Sequence, residues 1–104
     1  MRYRVIVSPE ALSDLRTIRS RLKAFAPRAA LGWYSGVRKR IATLAEHPER
    51  CALAPESTFF LVQIRELLYG QPNRKMYRIL FTVEGKLVVV LHVRHGSRLE
   101  WDGL

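Results

Sequence analysis

The chain has 104 residues, with 18 Lys and Arg against 9 Asp and Glu, a formal charge of +9 and a pI near 10.6. One domain over residues 1–104 with a modest core is expected, and the charge points to an anionic partner (nucleic acid, the ribosome or an acidic protein segment) unless it is only a solvated basic surface. Cys51 is the sole cysteine, which excludes an intrachain disulfide and a thiolate zinc cluster and fits a reducing cytosol, while nothing approaches membrane-spanning length.

Residues 3–7 alternate well enough for a first strand, and the segment is too short and too charged for a signal peptide. Ser8-Pro9-Glu10 then reads as a helix start: a hydroxyl to cap free amides, a proline suited to the first helical position, and an acid at the positive helix end. Leu12, Leu15, Ile18, Leu22 and Phe25 follow at helical spacing.

Pro27 breaks that helix and opens a second, whose stripe is Leu31, Tyr34, Val37, Ile41 and Leu44 and which ends before Pro48. So short a break implies an antiparallel helical hairpin. Residues 15–45 hold eight Lys or Arg and no acid. Most of these fit a solvated helical face, and Arg38-Lys39-Arg40 is the best candidate there for a partner-binding patch.

Residues 49–58 read as a loop punctuated by Pro48 and Pro55. Three strands are expected after it: 59–69, 75–83 and 86–95, with Glu84-Gly85 as a tight hairpin turn. The aliphatic run in the last suggests a central strand covered on both faces. The order β-α-α-β-β-β predicts an α+β fold, a helical hairpin packed on a small, mainly antiparallel four-stranded sheet. Residues 99–104 form a short tail that Trp101 can dock.

Few residues carry recognisable chemistry. His92 and His95 are three apart on a strand, facing opposite ways, a poor metal pair. His47 suits a helix end, where a cation is favourable. No HExxH, phosphate-binding glycine loop or nucleophile elbow occurs, and Cys51 has no base beside it in sequence. What remains is Arg65, Arg78, Arg94, His95 and Arg98. Cleavage of RNA by its own 2′-hydroxyl needs no metal, only a base, an acid and cations for the charge that builds on phosphorus. The arginines can supply the cations and His95 an acid or base. The plainer alternative is that these arginines pair with Glu66, Glu84, Glu100 or Asp102.

Several segments resemble the RelE/ParE toxin superfamily: Ser8-Pro9-Glu10-Ala11 with Asp14-Leu15 and Ile18; Ala42-Thr43-Leu44-Ala45-Glu46-His47-Pro48; Arg65-Glu66-Leu67; Tyr77-Arg78-Ile79-Leu80-Phe81; and the run from Val90 through His95-Gly96-Ser97-Arg98. The resemblance covers most of the chain, from Tyr3 to Arg98. The resemblance implies a cytoplasmic toxin of a bacterial type II toxin–antitoxin pair that needs no cofactor or metal. Its cognate antitoxin would cover the helix hairpin or the sheet, with Arg38, Lys39, Arg40 and Arg94 as partner-binding residues.

The superfamily divides in activity. RelE-like members are ribosome-dependent mRNA endoribonucleases, and here Arg65, Arg78 and Arg98 fall on their basic positions. Gln63, however, stands where a second basic residue is common, no tyrosine follows Arg98, and Trp101 cannot act as acid or base, which leaves His95 to substitute. ParE-like members inhibit DNA gyrase and have long helices and a closing His-Gly-x-Arg-like segment, as His95 to Arg98 provide. The incomplete nuclease set favours a ParE-like gyrase inhibitor, with a RelE-like enzyme and a non-toxic binding module as alternatives.

Overall fold

In the computed structural model, residues 2–70 and 76–96 are described. Strand β1 (Arg4–Val7) leads into helices α1 (Pro9–Phe25) and α2 (Pro27–Ala42), then β2 (Arg65–Gly70), β3 (Met76–Glu84) and β4 (Leu87–His95). The sheet order is β1-β4-β3-β2. β4 is parallel to β1, and the other two pairings are antiparallel. The expected α+β architecture is therefore present, with β4 central.

Local chemistry explains the helix starts. Ser8 Oγ accepts from the Ala11 amide at 3.1 Å and donates to the Leu91 carbonyl at 3.1 Å. One hydroxyl thus caps α1 and ties it to β4. Pro9 and Pro27 occupy first helical positions, where the missing amide costs nothing. α2 ends at Ala42, and residues Thr43–Ala45 tighten into a 3₁₀ turn, so the helix stops sooner than Pro48 suggested. Arg50 holds the chain just beyond that turn: its Nη1 donates to Glu46 O at 2.6 Å and His47 O at 3.1 Å. His47 itself is exposed, with φ of 46°.

The hairpin packs on one face of the sheet. Ala11, Leu15, Val37, Ile41 and Leu44 meet Leu67, Tyr77, Ile79, Phe81, Val88, Val90 and Val93 in one buried cluster. The predicted stripes err at their ends: Leu31 and Phe25 are 72% and 88% exposed, and Ala30 takes the buried place beside Leu31. Gly36 lets α2 approach β2, because a Cβ there would lie 1.9 Å from the Tyr69 hydroxyl oxygen.

Two strand boundaries also differ. β2 begins at Arg65, six residues later than expected (65 − 59), because Pro55–Phe59 forms a 3₁₀ turn and the chain loops back over the sheet. Ser57 Oγ accepts from the Ile64 amide at 2.9 Å, and Thr82 Oγ1 donates to Gln63 O at 3.0 Å, closing that loop. The β3–β4 turn uses Gly85 and Lys86 rather than Glu84 and Gly85. Glu84 pairs with Leu87, and Gly85 adopts φ of +59°, as the first central position of a type II′ turn requires.

Candidate functional site

Adjacent residues of β3 and β4 face opposite sides of the sheet. Tyr77 opposes His95 and Arg78 opposes Arg94 in register. Tyr77 belongs to the helix-side cluster, and the His95 ring meets it edge-on at 5.7 Å between centroids. Arg78 and Arg94 therefore lie on the other side, away from the helices.

That second face is closed by residues 52–64. Ala54 and Ile64 pack on Leu80, with Leu91 at the margin. At the centre of the closure is Arg78, only 3% exposed, against Glu56 at 1%. Arg78 Nη1 donates to Glu56 Oε2 at 2.8 Å, Nη2 to Glu56 Oε1, and Nε to Glu66 Oε1 at 2.9 Å. All three guanidinium nitrogens are engaged, in the bidentate geometry that makes such pairs strong. Burial pushes the Glu56 carboxyl up, but the Arg78 hydrogen bonds outweigh it and, with the charge of Arg94, hold the group below its ordinary value. Arg78 is raised, first by its bond to Glu56.

A cleft of about 370 Å³ opens on the helix side, between α1 and the ends of β3 and β4, lined among others by Asp14, Arg21, Leu22, Tyr77 and His95. Asp14 Oδ2 accepts from the Val93 amide at 2.9 Å and lies 2.9 Å from His92 Nδ1. Its carboxylate serves β4 just beyond the last residue that pairs with β1. Burial raises the Tyr77 phenol pKa above its ordinary value.

The predicted nuclease residues do not converge among the described residues. Arg78 and His95 stand on opposite faces of the sheet. Arg65 is pinned by main chain, its Nη1 donating to Cys51 O at 2.7 Å and Glu49 O at 3.3 Å. It is three residues along β2 from Leu68, the partner of Arg78, roughly 10 Å by strand rise. Arg98, the tail and Trp101 lie outside the described residues. Of the helical patch, Arg38 stacks over the Tyr34 ring at 5.9 Å, where Arg19 of α1 also stacks, at 4.4 Å. Arg40 Nε donates to Leu68 O at 3.2 Å, and Lys39 is exposed. Cys51 is buried, which pushes its thiol pKa up despite nearby arginines.

Sequence reasoning found Glu66 as an arginine partner but missed Glu56. The available signal was an acid isolated among apolar residues, the only one between Arg50 and Arg65. It also missed the Asp14–His92 contact, which joins residues 78 positions apart.

Known proteins place this arrangement. Residues 5–100 match the family model of the ParE toxin of the type II toxin–antitoxin system parDE. Toxin RelE2 of Caulobacter vibrioides is 34% identical over 95 residues, covering 91% of this chain and 97% of that protein. A solved structure of a chromosomal ParDE toxin–antitoxin system from P. aeruginosa superposes with a TM-score of 0.72 at 20% identity, over 89% of this chain and 95% of that one, and so shares the fold. Among the described residues no helix is long and apolar enough to cross a membrane. The family match spans nearly the whole sequence and agrees with the hairpin-on-sheet architecture: the chain belongs to the ParE toxin family of type II toxin–antitoxin systems.

Proposed function

We propose that this toxin acts on DNA gyrase, restrained by a cognate antitoxin, and does not cleave mRNA on the ribosome. The observation that carries the reading is the burial of Arg78. A metal-independent ribonuclease needs cations free to meet a phosphorane-like transition state. The arginine on the Tyr-Arg strand instead spends its three nitrogens on Glu56 and Glu66 inside the protein. His95, the remaining acid–base candidate, faces the opposite side. The match to the ParE family points the same way.

The competing reading, a ribosome-dependent endoribonuclease using Arg65, Arg78, His95 and Arg98, draws support from the 34% identical relative that carries the RelE name. Purified gyrase and relaxed plasmid separate the two. The proposal expects supercoiling to fall as toxin is added, with messages on translating ribosomes left uncut. Full supercoiling at high toxin excess, together with cleaved messages that Arg78→Ala protects, would reverse the assignment.

A further inference from the structure

The apolar stripe of α1 outruns the core. Ile18 packs against the helix-side cluster, Leu22 is half-buried and Phe25 is 88% exposed, yet all three line the cleft beside Tyr77 and His95. Arg21 stands exposed in the same wall, with no acidic partner among the described residues. The acid of the cleft, Asp14, is already engaged by the Val93 amide and His92. A concave apolar ledge with a spare cation on its rim suits an occupant that is both apolar and acidic.

The chain carries such a segment at the right place. β4 closes at His95, in the cleft wall. The Gly96 amide donates to Met76 O, so close that a Cβ on Gly96 would lie 2.7 Å from that oxygen. Gly96 thus fixes the point beside the cleft from which the sequence continues. Residues 99–104 hold two acids and no base on a chain with 18 Lys and Arg, and Leu99 and Trp101 alternate with Glu100 and Asp102. In an extended chain that pattern makes one edge apolar and the other acidic. Trp101 is five residues past Gly96 (101 − 96), a reach of up to about 17 Å. Ile18 to Phe25 rises about 10 Å along α1, so the segment is long enough to cover the ledge. Its tether presents these side chains to the cleft at an effective concentration of about millimolar. A second copy of a +9 chain would instead bring cations to Arg21.

We infer that the cleft between α1 and the ends of β3 and β4 is the seat of the chain's own C-terminal segment. Leu99 and Trp101 cover Ile18, Leu22 and Phe25, and Glu100 and Asp102 meet Arg21. The inference does not depend on the gyrase reading.

The test reads Trp101 by fluorescence in the full chain, with Trp33, the other tryptophan, replaced as Trp33→Phe. Trp33 meets Tyr69 and Tyr77 edge-on, and its Nε1 has no hydrogen-bond partner among the described residues, so phenylalanine keeps the ring contacts and loses no bond. Seated, Trp101 should emit to the blue of a solvated tryptophan and resist acrylamide quenching. Phe25→Asp should lower the ratio of seated to open segment about tenfold, the size of one apolar anchor, moving emission to the red and restoring quenching. Arg21→Glu should act the same way, and adding Glu100→Lys with Asp102→Lys should bring the shielding back. Both positions are exposed, so melting should stay near that of the parent, and if Phe25→Asp fails to fold the charge exchange still decides. A parent whose Trp101 is quenched like free tryptophan would overturn the inference, as would shielding that Phe25→Asp leaves unchanged or a charge exchange that restores nothing. Shielding that fades on dilution would overturn it in favour of a second copy. Shielding that appears only when purified cognate antitoxin is added would hand the cleft to that partner.

Discussion

The two faces of the sheet are closed by different physics. On the helix side, two amphipathic helices and three strands interlock apolar side chains around Phe81, Leu15 and Leu44, all fully buried. On the other side a loop with little regular structure does the closing. It buries three small-to-medium apolar residues and fastens itself with an ion pair. Apolar packing is tolerant of volume-conserving change, whereas a buried ion pair fails as a unit when either partner is lost. The first face is suited to stability and the second to holding a particular loop in a particular place.

The largest expected effect tests that contrast directly. Glu56→Ala leaves Arg78 charged and buried without its bidentate partner. It should lower unfolding free energy by about 3–5 kcal/mol in denaturant titration, and the double replacement Glu56→Met with Arg78→Met should recover much of it. If Glu56→Ala melts like wild type, the pair is not what closes the second face. The same pair ties stability to pH. Because the folded Glu56 pKa lies below its ordinary value of 4.5, its contribution is complete above that value and is lost as pH falls through the lowered one. Midpoints measured from pH 6 downward should drop less steeply in Glu56→Gln.

On the helix side, Leu15→Ala should cost about 2–5 kcal/mol through the cavity it leaves, read from the same titration. An unchanged midpoint would mean that α1 packs on the sheet through another face. Ser57→Ala strands the Ile64 amide and should cost about 1 kcal/mol. Hydrogen exchange should then quicken at Ile64 without spreading to β4. Smallest of all, Leu61→Asp should stay within about 0.5 kcal/mol of wild type, since its side chain contributes to no core.

Much of the helix side could be read from sequence. Ser8-Pro9-Glu10 marks a helix start by chemistry that is local, and Leu15, Val37 and Ile41 sit in the core as their spacing requires. Leu31 and Phe25 were misjudged because periodicity shows which residues can share a stripe, not how far the sheet extends beneath it. The second face was far less legible. Phe59 to Val62 have strand-like composition, but a strand needs a neighbour, and the decision was made by Pro55, Ser57 and a hydroxyl on β3. The fate of Arg78 turned on Glu56, 22 residues earlier in a segment read as loop. No local pattern announces such a pair.

The parallel pairing of β1 with β4 has a consequence in time. Ser8 and Leu91, bonded to one another, are 83 positions apart, and among the described residues β4 is the only strand that pairs with β1 in the sheet. Closing so long a loop is slow and must precede any reward from the contacts it makes. A nascent chain that has emerged only as far as β3 still lacks the strand joining β1 to the rest. The complete sheet, on this topology, comes into being only once β4 has been made, and a chain cut short before β4 should lack it and be quickly degraded.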